Sequence, residues 1–222
     1  LARALKQADS VPPGSAALAN QMQLKILKRL GGSSEELRAL AKGLGHTLHF
    51  ALVGTWDNDQ GKAFDEPLPP EQEGVQLDRR YDGSLVEIGW RTDIQHREDG
   101  SVLLSAFLSP DSWSAAYAAS SVHVGNAGPY ELRLSSSDPL RVWVNGQLVF
   151  QTRKVSHFLF DQFIVPLELA EGPNQVLVKT AQQTGAWKLL ARLTGPGGAP
   201  VSGLRQIAPD KVGAAPKAVG NT

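Results

Sequence analysis

Cysteine is absent from the chain. That excludes a disulfide framework, a thiol nucleophile and thiolate metal ligation. No apolar run approaches the roughly 20 residues that span a bilayer, and no secretory leader is visible. An excess of either charge is missing too, since Lys plus Arg and Asp plus Glu number 22 each. The chain therefore has no electrostatic footprint for nucleic acid and no general attraction to acidic membranes. The usual catalytic signatures are also wanting. There is no G-x-S-x-G elbow, no phosphate loop and no dinucleotide fingerprint, and Gly195-Pro196-Gly197-Gly198 follows a strand without leading into a helix. The first residue is Leu1 rather than Met, which reads as a piece of a longer protein.

What is present falls into three zones. Residues 1–46 predict a helical hairpin. Leu37, Leu40, Ala41 and Leu44 recur at i, i+3, i+4, i+7, and Leu18, Met22, Ile26, Leu27 and Leu30 are again helix-periodic. Ser33 and Glu36 have capping-box spacing, and Gly31-Gly32 separates the two helices. One hairpin cannot bury its own apolar face, so it reads either as the end of a tetratricopeptide-type array or as a linker docked on the adjoining β region. Residues 47–206 predict short strands divided by Gly, Pro, Asn and Asp, many alternating apolar and polar as in Tyr130-Glu131-Leu132-Arg133-Leu134. Closely spaced strands without intervening amphipathic helices predict an antiparallel β-sandwich. Asn145-Gly146 between Val144 and Gln147 is a hairpin signal, because a type I′ turn needs positive φ at both positions. Residues 207–222 hold almost no large apolar side chain and read as a flexible linker.

Several segments together resemble a recurrent bacterial sandwich. They are Phe50–Asn58 with Gly61 and Phe64-Asp65, then Tyr117-Ala118-Ala119, Arg141–Val149, Gly172–Lys179, and Gly185-Ala186-Trp187 with Arg192-Leu193 and Gly197. This set is similar to galactose-binding-like and PA14-like jelly-roll domains of large exported bacterial proteins. In such proteins the sandwich follows tetratricopeptide-type helices and precedes a transglutaminase-like domain. The chain departs from the pattern at Thr55-Trp56, where Pro-Phe is usual, and at Pro173, where Trp is common. The resemblance implies a mainly β jelly roll, an Asp161 that orders a loop, and an extracytoplasmic setting (periplasmic, cell-surface or secreted).

The acidic loop Asp57-Asn58-Asp59-Gln60-Gly61, followed by Asp65 and Glu66, is the sharpest functional candidate. Oxygen ligands at alternate positions suit Ca²⁺, so Asp57, Asp59, Asp65 and Glu66 are the candidate ligands of a structural calcium. Asx turns satisfying the loop's own amides are the competing reading. It is not an EF-hand, because the twelfth position from Asp57 is Leu68. His46 and His49 suggest zinc only weakly, since strand positions three apart face opposite sides. Carbohydrate binding needs an exposed aromatic with polar neighbours. Trp56 and Trp113 are the candidate platforms, with Tyr81 and Arg153 as partners, and Trp90 and Trp187 stand behind them. The leading expectation is a non-catalytic accessory module that positions neighbouring domains of the same polypeptide or a protein partner. The alternative is a carbohydrate-binding module, with or without structural Ca²⁺. A catalytic domain with an unmarked carboxylate pair is the third.

Overall fold

The computed structural model describes residues 44–213, apart from 98 and 156, and positions 19, 21–23, 26, 27, 29–33, 35 and 36. The expected hairpin over 1–46 and the tail thus lie largely outside the described residues. Within them, Ser33 and Glu36 exchange the bonds of a capping box. The Glu36 N–H donates to Ser33 Oγ at 3.3 Å, and the Ser33 N–H to Glu36 Oε2 at 3.1 Å.

The strands are β1 (His46–Thr47), β2 (Ala51–Asp57), β3 (Arg80–Asp82), β4 (Glu87–Gly89), β5 (Val102–Leu103), β6 (Ser114–Val124), β7 (Gly128–Ser136), β8 (Leu140–Val144), β9 (Gln147–Thr152), β10 (Phe163–Leu169), β11 (Gly172–Gln182), β12 (Lys188–Thr194) and β13 (Arg205–Ile207). One sheet runs β1-β12-β7-β10, with β5 on the same edge of β12 as β1. The other runs β13-β6-β11-β8-β9, with β2 also on β6. Every pairing is antiparallel. From β5 to β8 and again from β9 to β12 the chain changes sheet at each connection, which is the winding of a jelly roll.

Period-two alternation decides which side chains enter the core. Leu132 and Leu134 of β7, Ala191 and Leu193 of β12, and Val165 of β10 face Ala116 and Ala118 of β6, Val142 and Val144 of β8, and Val176 and Val178 of β11. Trp187 lies among them, fully buried, and its indole N–H donates to Thr180 Oγ1 at 3.1 Å. Large side chains in such a position each contribute about 1.5–3 kcal/mol.

The second sheet is covered on its outer face as well. The chain between β2 and β5 folds back over it, through the short helix α1 (Pro69–Gln72) and the β3–β4 hairpin. Val53, Trp56, Val75, Tyr81, Ile88, Tyr117, Trp143 and Leu177 form a second apolar cluster there. Trp143 faces away from Val142 and Val144, as alternation predicts, and enters this second core. Lys179, on the same face and 0% exposed, donates to Glu71 Oε1 at 2.7 Å and to the Glu66 carbonyl at 2.6 Å. The Tyr117 hydroxyl donates to the same Oε1 at 2.7 Å. Burial lowers the Lys179 pKa and, with Glu71 nearby, raises that of Tyr117. This polar knot fastens the covering segment to β6 and β11.

The outer face of the first sheet has its own charged cover. Arg133 of β7 and Arg192 of β12 are cross-strand neighbours and both nearly inaccessible. Asp161 bridges them, at 2.9 Å from Arg133 Nη1 and 2.6 Å from Arg192 Nη2. It does so from a left-handed conformation with φ 50°. The loop-ordering Asp161 implied by the resemblance is thus a bridge between two buried cations.

The Asn145-Gly146 turn has φ of 51° and 79°, the positive values a type I′ hairpin requires. Asn145 also ties two connections together. Its Nδ2 donates to Asn174 Oδ1 at 2.8 Å, and its Oδ1 accepts from the Gln175 N–H at 2.8 Å.

Candidate functional site

A cleft of about 280 Å³ opens between the loop after β2, the turn before β8, the segment after β9 and the end of β11. Asn58, Gln60, Gly61, Lys62, Phe64 and Asp65 line it from the first, Pro139 from the second, Arg153 and Val155 from the third, and Ala181 and Gln183 from the fourth. The acidic loop singled out in the sequence is therefore one wall of a cleft.

The loop's shape follows from its local bonds. The Asp59 N–H donates to Asp57 Oδ1 at 3.0 Å, an Asx turn. The Gly61 N–H donates to the Asn58 carbonyl at 2.9 Å. Gln60 and Gly61 take φ of 55° and 78°, which reverses the chain before Phe64 is buried. Asp57 pairs with Lys62 at 2.6 Å, and Asp65 pairs with Arg153 across the cleft mouth. Arg153 also lies 4.5 Å from the Phe64 ring centroid. Each cation holds its carboxyl below the usual carboxylate range, Lys62 acting on Asp57 and Arg153 on Asp65.

Of the four candidate calcium ligands, Asp57 and Asp65 thus face cations rather than each other. Asp59 contributes its amide to the turn, and Glu66 gives its carbonyl to Lys179. Among the described residues, no group of three or more His, Asp or Glu side chains is placed to hold a metal ion. His46 bonds Gln206 through Nε2 at 3.3 Å, and the His49 ring lies 4.5 Å from that of His96. The two rings thus have different partners, while the His49 backbone N–H donates to the same Gln206 Oε1 at 3.1 Å.

The four candidate ligand-binding residues divide in two. Trp56 and Tyr81 are 7% and 5% exposed and form the second core, packed at a ring separation of 5.8 Å, so neither is a platform. Trp113 is 44% exposed and Arg153 lines the cleft. Trp113 adopts φ 50° and is anchored by its backbone to two walls. Its carbonyl accepts from the Asn58 N–H at 2.8 Å, and its N–H donates to the Gln183 carbonyl at 2.7 Å. The main chain of an exposed tryptophan is thus fixed to two residues that line the cleft. Of the other tryptophans, Trp187 is in the main core and Trp90 is half-buried, donating to the Tyr81 hydroxyl at 3.4 Å.

Lys62, Pro139 and Gln183 join the cleft without a sequence signal pointing to them, because the fold alone brings these four connections together. Asn58 was legible as part of the acidic loop, but its own role was not, since it depends on what its amide faces.

No family model matches the sequence, and no curated protein matches it. Among solved structures, the chain is similar to a family 35 carbohydrate binding module from an environmental isolate, at 18% identity and a TM-score of 0.31 over 42% of this chain and 72% of that one. It is also similar to a PA14 sugar-binding domain from an RTX adhesin, at 15% identity and a TM-score of 0.40 over 73% of this chain and 97% of that one. A third similarity is to the PA14 domain of the antifreeze protein MpAFP, at 17% identity and a TM-score of 0.33 over 40% of this chain and 47% of that one. The chain's own fold and cleft define an antiparallel β-sandwich with a small polar pocket beside an exposed tryptophan.

Proposed function

We propose that this chain is a non-catalytic binding module whose cleft takes a carbohydrate. The supporting observation is the fixed placement of Trp113 beside a cleft carrying Asn58, Gln60, Lys62, Asp65, Arg153 and Gln183. Saccharides offer an apolar C–H face and a hydroxyl-rich edge. An exposed indole suits the first and planar amide and charged side chains suit the second. A volume of about 280 Å³ is at the small end for ligand pockets and matches one or two sugar rings.

The same geometry disfavours hydrolysis. Glycoside cleavage needs one carboxyl kept protonated and a second ionised across the bond. The Asp65 carboxyl is held below its usual range by Arg153, and among the described residues no second carboxylate lines the cleft. A saccharide ligand fits an extracytoplasmic setting for the protein.

Screening the full chain on a glycan array, with thermal melts in the presence of the sugars it retains, tests the reading. Retained glycans are expected to raise the melting temperature, because a ligand that binds the folded state stabilises it. Trp113→Ala and Arg153→Ala are each expected to weaken binding about tenfold or more. Silence on the array together with unmoved melts overturns the proposal. An accessory role toward a protein partner is the second reading. It is favoured by Met22, Ile26 and Leu30, which are spaced four apart and 58%, 57% and 77% exposed.

A further inference from the structure

Asn58 lines the cleft yet is only 1% exposed. Nearly all of its hydrogen-bonding capacity is spent. Its N–H donates to the Trp113 carbonyl and its carbonyl accepts from the Gly61 N–H. Its Nδ2 donates to the Gln182 carbonyl at 3.0 Å. That last bond fixes which way the amide points, because a flipped amide would set oxygen against oxygen. What remains is the second Nδ2 hydrogen and Oδ1, and of the two atoms only Oδ1 has no partner at all. A buried acceptor without a donor is unfavourable, and whatever completes it must bring a proton.

The charges around it narrow the chemistry. Lys62 is engaged by Asp57 and Arg153 by Asp65, and in both pairs the carboxyl is held below its usual range. The two pairs sum to zero formal charge, and Arg141 and Lys179, which also act on Asp65, are both paired with Glu71. A carboxylate ligand would compete with Asp57 and Asp65 for these cations, although each cation keeps further N–H donors. The carboxylate group itself would also bring no proton for Asn58, which needs a hydroxyl.

We propose that Asn58 Oδ1 is the specificity-determining acceptor of the cleft, so that the site selects an uncharged saccharide through one donated hydroxyl and rejects the corresponding sugar acid. This rests on the cleft being the carbohydrate site. Oδ1 is closed to solvent in the free structure, so the hydroxyl reaches it through a side-chain adjustment of the kind common at binding sites.

The test is calorimetric titration of the full chain with glucose, galactose and mannose, their singly deoxygenated analogues and their uronic acids. For the sugar that binds, one deoxy analogue is expected to lose about tenfold in affinity while the others lose little. In Asn58→Ala, with its fold checked by melting, the parent sugar falls to the level of that analogue and the difference between them disappears. The corresponding uronic acid is expected to bind more weakly than the neutral sugar. These ligand comparisons on the unmodified chain stand even if Asn58→Ala does not fold. A neutral sugar that binds while no deoxy position matters, or a uronic acid that binds more tightly, overturns the role of Asn58 and leaves the cleft as the binding site. Absence of binding by any of these sugars, alongside array silence, removes both.

Discussion

Asp138 and His96 are ionisable groups that burial pushes in opposite directions. Desolvation raises the Asp138 carboxyl to about 6, partly offset by the hydroxyl of Ser137. Burial lowers the His96 imidazole to about 4, and the neighbouring His49 adds to the effect. A raised carboxyl gives stability that is complete below its unfolded pKa near 4 and is lost as pH rises through 6. A lowered imidazole gives stability present above its unfolded value near 6.5 and lost as pH falls toward 4. The two effects oppose each other between pH 4 and 6. Asp138→Asn is therefore expected to stabilise the protein by about 2 kcal/mol at pH 7 and by little at pH 4. It should also expose an acid-destabilising slope that His96 causes. His96→Phe, which keeps a ring against Phe50, is expected to expose the opposite slope. Chemical denaturation from pH 4 to 7 checks both, and parallel curves for the two variants would refute the assignment.

Strands were readable from their alternation, and the departures have local physical causes. Ala115–Val124 and Tyr130–Ser135 match β6 and β7 to within two residues at either end. By its apolar and aromatic residues the stretch Phe158–Leu169 reads as a single strand, yet β10 begins only at Phe163. Phe158 and Phe160 are not strand residues. Their rings lie 4.3 Å from Lys188 Nζ and 4.4 Å from Arg192 Cζ, and the chain there crosses a sheet face. Pattern alone cannot separate an aromatic that pairs in a ladder from one that covers a cation. The same limit governed the tryptophans. Trp56 and Trp113 each sit near turn residues in the sequence, and only the segment folding over β6 decides that the first is buried. Asp161→Asn leaves two buried guanidinium groups without their shared carboxylate, and removing one partner of such a set typically costs about 3–5 kcal/mol. Equilibrium unfolding in urea is expected to show that loss, whereas Asp59→Asn in the exposed loop should change stability by less than about 0.5 kcal/mol.

Across the whole molecule, the central pair β6 and β11 is buried on both faces, which an antiparallel sandwich with one solvated face would not require. The sequence shows this only in part, through the run Ala115–Ala119 and the short run Val176-Leu177-Val178, because the other β11 residues buried there include Asn174, Gln175, Lys179, Thr180 and Gln182. The loop wall of the cleft and the covering segment are consecutive in the chain, joined at Glu66 through Lys179. Lys179→Met is thus expected both to lower the melting temperature and to weaken sugar binding, although Lys179 does not line the cleft. Ca²⁺ or EDTA is expected to leave the melting temperature unchanged, since Asp57 and Asp65 already have cations. A rise of several degrees with Ca²⁺ would show that those pairs open to admit a metal.

Pro166 stands in the middle of β10, opposite Glu131, on the outermost strand of the first sheet. A residue without an N–H interrupts the row of donors that an incoming strand would need. If further domains adjoin this one, or several copies crowd together on a surface, that border is a poor seam for joining sheets. The domain can be packed densely beside its neighbours and still keep its own boundary.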